Sequence, residues 1–462
     1  MDIMSIFGMQ SGREALKDIL KDKENHIHFI GILGAGMSPL AELLCLSGYR
    51  VTGSDREINI RPSDAPRGAV IAKLYEISRP SLVVYSLAVP EEDGELSLAR
   101  RLGILTVTRA ELLGEVMLSY QNRIGISGTH GKSTVTAMLD AVLAGAGIPH
   151  TTVSGAKLPS GSALNVTGDG AFLFEACEYR DAFLSMSPTA AVITNIEFDH
   201  PDYFRGEEHI FSSFSSWAER ARDLVLIGEG KYSERLSSKI GKRAYTYGEG
   251  ENCSFSYSDV EYRTDGSDFT FRIGKQAEGR FHISAIGLHN VKNATAALAY
   301  AALSGIKTED AAAALSGFSG IGRRLELLGY IGGRAVYYDY AHHPTEIRCT
   351  IEALKPREGR VNCIFRPHTF TRTAALFDEF VSSLSLADSS VILDIYPARE
   401  TPIEGITAQR LAEEIGDGAI YLDFSCAVSY LLSHTEGAIV LMGAGEVENI
   451  RLELLNKIDR KP

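Results

Sequence analysis

Residues 123–136, RIGISGTHGKSTVT, decide the fold class of this chain of 462 residues. Ile124 and Ile126 predict a buried strand, and apolar residues at helical spacing from Val135 to Leu143 predict a helix. A glycine-rich turn lies between them. Such a turn points backbone N–H groups and a helix N-terminus at one place, and so it suits an anion. The stretch therefore predicts an α/β domain that binds a nucleotide.

The turn contains only the short form of a phosphate-binding loop, G-x-x-G-K-S, starting at Gly128. The common form has a glycine five positions before Gly131, where this chain has Ile126. In such loops the lysine reaches the outer phosphates and the serine hydroxyl binds Mg²⁺. A plain glycine turn with a solvated lysine is the alternative, but the flanking strand and helix favour a nucleotide. The candidate residues are Gly128, Thr129, His130, Gly131, Lys132, Ser133 and Thr134.

The composition is that of a globular protein, and the length predicts about three domains. The net charge of -13 argues against a nucleic-acid surface. The six cysteines form no C-x-x-C pair, which argues against a zinc site or a disulfide framework. Residues 1–25 lack the apolar run of a signal peptide, and no run reaches the ~18 apolar residues of a membrane span. We therefore expect a cytoplasmic enzyme, with a short helix over residues 13–20 in an N-terminal extension.

The first domain, residues 26–118, is predicted to open with a strand, a glycine turn, a helix and a second strand. Gly31, Gly34 and Gly36 follow the spacing G-x-x-G-x-G, which differs from the dinucleotide pattern. Glycines still let backbone N–H groups approach a diphosphate, and Asp55 lies where a carboxylate accepts from a ribose hydroxyl. We expect a nucleoside diphosphate ligand. Two alternatives to this ligand remain open. The loop could bind NAD, or it could be a tight turn beside a surface aspartate.

The second domain, residues 119–325, places acids after two predicted strands. Glu175 and Glu178 follow the first, and residues 195–200, NIEFDH, follow the second. Carboxylates near a phosphate loop suit Mg²⁺, which prefers oxygen ligands. His200 is a less natural Mg²⁺ ligand, and a capping or hydrogen-bonding role is equally open.

Two further parts of this domain carry predictions. The polar region 232–281 predicts a hairpin or meander. The helix that follows carries Asn290 and Asn293 near its start, where asparagine is common as a cap. The alternative is that these amides face the edge of a nucleotide base.

The third domain, residues 326–462, alternates strand and helix signals, which predicts a parallel, doubly wound sheet. Helices are predicted from Pro344, Arg372 and Thr407. Polar residues cluster after the strand ends: Asp339, Tyr340, His342, His343, His368, Arg372, Arg399 and Glu400. Their convergence on one sheet edge predicts a site for an anionic substrate. Arg323 and Arg324, at the domain junction, would bind a phosphate or be solvated.

These motifs make the chain similar to the Mur ligase family. The similarity extends from His26 to Gly445 and rests on GILGAGMS, GTHGKST, EACEYRDAFL, TNIEFDH, HNVKNA, RRLELLG, DYAHHPTEI, FRPHTFTR, DIYPARETPI and MGAG. It implies a Rossmann-like N-terminal domain that binds a UDP-sugar and a central P-loop ATPase domain with a mostly parallel sheet. It also implies a Rossmann-like C-terminal domain. Within the family, the chain most resembles the members that add L-alanine.

The resemblance implies ligation of L-alanine to the carboxylate of UDP-N-acetylmuramate, with ATP and Mg²⁺, through an acyl phosphate in peptidoglycan precursor synthesis. A carboxylate is a poor electrophile and repels an anionic phosphate, so catalysis must neutralise charge and align the groups. The implied partners are these two substrates, with no nucleic acid and no membrane insertion, and the protein is expected to be a monomer or homodimer.

The resemblance also implies residue roles, by position in the motifs. The expected catalytic residues are Lys132, His200, His343, His368 and Arg372, and the metal ligands are Ser133, Glu175 and His200. Asn290, Asn293, Arg324 and Asp339 join the loop in binding ATP. The UDP-sugar residues are Gly34, Ala35, Gly36, Met37, Ser38, Asp55 and Ser86, and the amino-acid pocket holds Tyr340 and Arg372.

Two departures from the family pattern accompany these expectations. Leu33 replaces a glycine of the first loop, and Cys177 stands where an aspartate is common. The nearest alternative is the recycling ligase that joins a murein tripeptide to UDP-N-acetylmuramate, which shares EACEY but lacks the PHTFTR pattern. The second alternative is a nucleotide-binding regulator that has no catalytic activity. The joint presence of Lys132, Glu175 and Arg372 argues against this alternative.

Overall fold

The computed structural model describes residues 3–56, 65–318, 320–445 and 447–459. The described chain forms two compact units. Unit 1 comprises Met1–Ser127, Gly147–Val192 and Ser213–Val225, and unit 2 comprises Gly128–Ala146, Ile193–Ser212 and Leu226–Pro462. Among the helices of the described residues, none has both the length and the apolar composition needed to span a bilayer.

The N-terminal sheet lies in unit 1 and has the strand order β3-β2-β1-β4-β5. All four pairings are parallel, as in one half of a Rossmann fold. Its elements are α1 (Ile3–Lys21), β1 (His26–Ile30), α2 (Met37–Leu46), β2 (Arg50–Ser54), β3 (Val70–Ile71), β4 (Leu82–Tyr85), α3 (Gly94–Arg101), β5 (Leu105–Thr108) and α4 (Arg109–Val116).

The helix of the N-terminal extension is longer than the sequence predicted, since α1 begins at Ile3 and not near residue 13. Contacts of α1 with other parts of unit 1 account for part of the stability of this helix. Leu16 is buried, Arg13 lies 3.2 Å from Glu115 on α4, and the Tyr49 hydroxyl donates to the Leu20 carbonyl. A helix stabilised by tertiary packing is not limited by local propensity.

The central region divides between the units. Its elements are β6 (Arg123–Ser127), α5 (Lys132–Gly145), β7 (His150–Val153), β8 (Leu164–Val166), β9 (Ala171–Glu175), β10 (Ala190–Ile193), α6 (Glu207–Ala218), β11 (Leu224–Gly228), α7 (Ser233–Ile240), β12 (Ala244–Glu249), β13 (Phe255–Arg263), β14 (Gly266–Ile273), β15 (Gln276–Ile283), α8 (Leu288–Leu303) and α9 (Thr308–Ser316). In unit 1, β6 and β7 pair with β9 in parallel. In unit 2, β13, β14 and β15 form the predicted antiparallel meander, while α7 at its start was not predicted.

The C-terminal sheet lies in unit 2 and has the order β16-β17-β21-β18-β19-β20. Among the described strands of this sheet, only β16 pairs antiparallel. The elements are β16 (Glu326–Ile331), β17 (Arg334–Asp339), α10 (Pro344–Glu358), β18 (Val361–Arg366), α11 (Phe370–Ala375), α12 (Phe377–Leu384), β19 (Ser389–Ile392), α13 (Ala408–Ile415), β20 (Ala419–Tyr421), α14 (Phe424–His434), β21 (Ala438–Gly443) and α15 (Glu448–Lys457).

Both faces of the C-terminal sheet are buried, which explains its continuous apolar strands. On β18, Cys363 and Phe365 pack into the core on one face, whereas Ile364 packs into the core on the other. The helix predicted from Arg372 begins earlier, at Phe370, and is interrupted at Leu376 before α12. The predicted α/β class with mostly parallel sheets is confirmed.

Candidate active site

The nucleotide-loop candidate, residues 128–131, connects β6 to α5 and depends on its glycines. Gly128 has φ +138° and Gly131 has φ +81°, in the region that favours glycine. A Cβ on Gly128 would lie 2.0 Å from Thr194 Oγ1, and one on Gly131 would lie 2.7 Å from Asn293 Oδ1. The loop backbone is therefore packed closely against both neighbours, and no side chain fits there.

The segment 194–200, which follows β10, fixes the conformation of the loop. The Thr129 hydroxyl donates to the Glu197 carbonyl over 3.0 Å and accepts from the Glu197 amide over 2.9 Å. The Asn195 amide group bonds both backbone groups of His130, with His130 N donating over 2.9 Å and Asn195 Nδ2 donating over 3.1 Å. Sequence analysis did not identify Asn195 as part of the nucleotide site, and its position after a buried strand was the available signal.

Lys132 begins α5 and its ammonium lies over the loop. Its Nζ donates to the carbonyls of Gly128 and Thr129. A cation held above a closely packed glycine loop at a helix N-terminus fits a polyphosphate, because the helix dipole and the lysine both attract negative charge.

The two asparagines of α8 are not helix caps. Gly287 is the N-cap residue and no side chain caps it. Asn290 Nδ2 donates to the Ile286 carbonyl over 2.8 Å, and Asn293 Nδ2 lies 3.4 Å from Asn290 Oδ1. Asn290 also lines a cavity of about 380 Å³ together with Ile286 and Arg324. The cavity places the Asn290 amide within a mainly polar lining, where it can bond to the edge of a nucleotide base.

Asp339, at the end of β17, is bonded to Leu325, which lines this cavity together with Arg324. The Asp339 carboxylate accepts from the backbone N–H groups of Leu325 and Ala341, each over 2.9 Å, and from the Thr350 hydroxyl over 3.1 Å. Burial raises the pKa of Asp339 to about 6, although Arg324 opposes the shift. Asp339 thus holds the backbone at the end of β17 in place.

The C-terminal sheet edge brings Arg372 and His368 together with Asp199. Arg372 Nε donates to Asp199 Oδ1 over 2.7 Å, and its Nη2 lies 3.3 Å from Oδ2. Both side chains are about 5% exposed. His368 Nδ1 lies 3.1 Å from Arg372 Nη1, and burial lowers the pKa of His368 to about 3, so this imidazole is neutral. Asp199 is a residue whose role the sequence did not reveal.

His343 and Tyr340 occupy neighbouring positions after β17. His343 is the N-cap of α10, since its Nδ1 accepts from the Thr345 amide over 3.2 Å, and its Nε2 lies 3.2 Å from the Phe198 carbonyl. Burial lowers the pKa of His343 to about 4. The guanidinium groups of Arg323 and Arg324 lie 5.5 and 5.6 Å from the Tyr340 ring centroid. Arg324 is partly buried and also contacts Glu346, whereas Arg323 is exposed.

Glu346, on the first turn of α10, contacts four basic or N–H groups, one of which is His342 Nδ1, 3.3 Å from Glu346 Oε2. Its Oε1 lies 3.2 Å from His130 Nδ1 and 3.3 Å from Arg324 Nη1. Its Oε2 accepts from the His342 backbone amide over 3.0 Å. Although burial opposes it, these neighbours hold the pKa of Glu346 well below its usual range. The sequence shows that residue 346 is an acid, but it does not show which basic groups this acid contacts in the fold.

The predicted metal ligands supply the right donor atoms. In unit 1, Glu175 Oε1 accepts from Ser154 Oγ and from the Gly155 amide, each over 2.7 Å, so the carboxylate is oriented. In unit 2, His200 has φ +54° and its backbone amide donates to Asp199 Oδ1 over 2.7 Å. A serine hydroxyl and a carboxylate fit Mg²⁺, which prefers oxygen, whereas the imidazole of His200 is a less natural ligand for this ion.

The glycine loop of the N-terminal domain lies in unit 1. Asp55 Oδ2 accepts from the Leu33 amide over 2.9 Å, so the carboxylate is bonded to the backbone of this loop. Ser86 lies beside Gly31, since a Cβ there would be 3.9 Å from the Ser86 Cβ. The Arg109 guanidinium lies against Gly36, where a Cβ would be 3.1 Å from Nε. No motif pointed to Arg109, and the structure places its guanidinium at this glycine loop.

Three family models match the chain in series. Residues 26–121 match the Mur ligase family catalytic domain, residues 126–301 the Mur ligase middle domain, and residues 323–445 the Mur ligase glutamate ligase domain. A UDP-N-acetylmuramate–L-alanine ligase of Alkaliphilus metalliredigens is 37% identical over 445 residues, 93% of this chain and 97% of that protein.

Solved structures agree with this fold. UDP-N-acetylmuramate-alanine ligase MurC of Thermotoga maritima has a TM-score of 0.79 at 23% identity, covering 94% of this chain and 99% of that one. A murein peptide ligase of Psychrobacter arcticus has a TM-score of 0.67 at 26% identity, covering 95% and 100%. The matched domains and the extent of identity establish that the chain belongs to the Mur ligase family.

Proposed function

We propose that this protein ligates L-alanine to the carboxylate of UDP-N-acetylmuramate and converts ATP to ADP and phosphate. The observation that carries the proposal lies within unit 2. There, the ion pair His130–Glu346 joins the nucleotide loop to the residues after β17, and the ion pair Arg372–Asp199 joins the segment after β10 to the residues after β18. The name of the Alkaliphilus relative supports the choice of substrates.

In the proposed reaction, the substrate carboxylate attacks the γ-phosphate of ATP, and the amine of L-alanine then displaces phosphate from the acyl phosphate. Lys132 stabilises the negative charge that develops on the transferred phosphoryl group, because its ammonium is already held above the loop. Ser133, Glu175 and His200 would hold Mg²⁺, which supplies charge neutralisation at the phosphates when bound.

We assign the binding of the remaining substrate groups to charged and neutral side chains of the C-terminal domain. Arg372 is oriented by two contacts to Asp199 and supplies positive charge for a carboxylate or acyl phosphate. His368 and His343 are neutral at pH 7 because burial lowers the pKa of each, to about 3 and about 4. We assign the pair, together with Arg372, to the binding of the substrate carboxylates and the acyl phosphate. Tyr340 bounds the pocket for the methyl group.

For ATP, the proposal assigns Asn290 and Asn293 to the base and Arg324 with Asp339 to the nucleotide. For the UDP-sugar, it assigns the glycine loop from Gly34 to Ser38, with Asp55 and Ser86. Arg109 joins these as a diphosphate ligand, since its guanidinium lies against Gly36. We place the reaction in the cytoplasm, where ATP is available, and propose a monomer or homodimer.

A phosphate-release assay tests the proposal. The protein is incubated with ATP, Mg²⁺ and UDP-N-acetylmuramate, and L-alanine, glycine, L-serine and murein tripeptide are compared as acceptors. We expect the highest kcat/KM with L-alanine. Turnover with tripeptide alone would assign the chain to the murein peptide ligases, which the Psychrobacter structure represents. No turnover with any acceptor would favour a regulator.

A further inference from the structure

His130 lies between two carboxylates that come from different parts of unit 2. Its Nδ1 is 3.2 Å from Glu346 Oε1 on α10, and its Nε2 is 3.6 Å from Glu197 Oε2 in the segment after β10. Its side chain is 11% exposed, and that of Glu346 is 10% exposed. The imidazole is therefore turned away from solvent, with an acid facing each ring nitrogen.

This arrangement determines the charge of the ring. A neutral imidazole carries one N–H and would turn a lone pair towards one of the two carboxylates, whereas an imidazolium offers an N–H to each. Burial lowers the pKa of His130, but Glu346 and Glu197 outweigh this effect and raise it to about 9. Correspondingly, burial would raise the pKa of Glu197, but the contact with His130 lowers it to about 2.

The two acids connect His130 to the first turn of α10. Glu346 lies on that turn and also contacts Arg324 and the His342 amide. Glu197 Oε2 accepts from the Thr345 hydroxyl over 2.6 Å. The charged groups facing His130 are thus the two acids, and the neighbouring titratable ring is His343, whose centroid is 4.5 Å away.

We propose that the His130 side chain is an imidazolium that fixes the nucleotide loop onto the first turn of α10. His130 then acts as a positioning residue: its ring does not touch the reacting atoms, and it keeps the loop aligned with the segment that carries His342 and His343. This inference rests on the proposed binding of ATP to the loop.

A divalent metal is the competing occupant, because His130, Glu197 and His343 offer ligand atoms within 4.8 Å of one another. The contacts of His343 argue against it. Its Nδ1 accepts from the Thr345 amide and its Nε2 faces the Phe198 carbonyl, so both nitrogens already have partners. A metal would have to displace one of these contacts and a proton of His130 as well.

The protonation state can be measured directly on the full-length protein. With ¹⁵N-labelled histidine, ring ¹H–¹⁵N spectra are recorded from pH 6 to 10.5, and His130→Asn assigns the His130 signals. We expect both ring nitrogens to be protonated at pH 7.5 and to titrate near pH 9. A single protonated nitrogen at pH 7.5 would overturn the proposal, as would loss of the His130 proton signals on adding Zn²⁺ alone.

A second measurement addresses the positioning role. Affinity for a non-hydrolysable ATP analogue is measured by calorimetry for H130N, for Glu346→Gln and for the double variant. We expect each single variant to weaken binding about 10- to 100-fold, the scale of a lost charged hydrogen bond. The affinity of the double variant should fall by less than the product of the two single-variant losses. Simple multiplication of the two losses would refute the coupling.

The control is His434→Asn, which changes an exposed histidine on α14 and should leave both binding and turnover unchanged. His130→Lys restores a positive charge without the imidazole ring. Recovery of ATP-analogue affinity in this variant would show that the charge, and not the packing, of His130 matters. Absence of both this recovery and the coupling would overturn the proposal. If the unaltered protein bound no ATP analogue, the proposed function would fail, whereas the spectra would still decide the charge of His130.

Discussion

The substitution Asp199→Asn tests the buried ion pair of the candidate site. Asp199 and Arg372 are each about 5% exposed and are joined by contacts of 2.7 and 3.3 Å. Asparagine has nearly the same shape but carries no charge, and its amide N–H groups would face the N–H groups of the guanidinium. The variant therefore leaves a buried cation without its counter-charge while preserving the packing.

The expected cost is large because the remaining charge stays desolvated. Removing one partner of a buried ion pair typically destabilises a protein by about 3–5 kcal/mol. Asparagine retains one acceptor oxygen, so we expect the lower end, about 3 kcal/mol, in the unit that contains β18 and α11. Catalysis should suffer as well, since an undirected Arg372 no longer places its charge for the substrate.

Urea unfolding and steady-state kinetics measure the two effects. The matched control is Asp223→Asn, which breaks a bidentate pair of similar length with Arg222 at the surface and should leave the unfolding midpoint unchanged. The double variant Asp199→Leu with Arg372→Met should regain stability but remain inactive, because no charge is left buried. Equal destabilisation by D199N and D223N would refute this reasoning.

Three further predictions concern other charged groups. Lys132→Ala should lower kcat by at least about 10²-fold in the phosphate-release assay, as loss of a group that stabilises transition-state charge does, and a near-normal rate would exclude that role. Arg109→Ala should weaken UDP-sugar binding about 10-fold in calorimetry and leave ATP-analogue binding intact, because a charged hydrogen bond is lost only at the glycine loop. Because the folded-state pKa of His130 is raised from 6.5 to about 9, its stabilising contribution is complete below pH 6.5 and is lost as pH rises through 9. Urea unfolding from pH 6.5 to 9.5 should show that decline in the unaltered protein and a flatter profile in H130N.

The fold was predictable where local sequence and burial agree. Short apolar runs such as residues 361–366 become strands buried on both faces, and glycine followed by lysine and serine marks the helix start after β6. Prediction failed where tertiary contacts decide. The edge strand β20 has only three residues, and the length of α1 depends in part on packing against α4.

The site was predictable as a set of positions but not as a set of pairs. The rule that ligands bind beyond strand ends selected Asp339, His343 and Arg372. Arg372 is paired with Asp199, 173 positions away, and no local pattern indicates which acid meets which cation over that distance. The cations of the site were therefore predicted, and Asp199 was placed among the acids near the loop, but its pairing with Arg372 was not predicted.

Those acids explain how unit 2 holds cations ready for anionic substrates. Asp199 is buried and the Glu346 side chain is only 10% exposed, yet each has a pKa held below its usual range by basic neighbours: Arg372 beside the first, and His342, His130 and Arg324 beside the second. Asp339, which accepts mainly from neutral donors, has its pKa raised instead. The acids that touch cations are thus ionised, and each fixes a positive group before substrate arrives. Because those groups need not reorganise, they can stabilise developing charge at little cost.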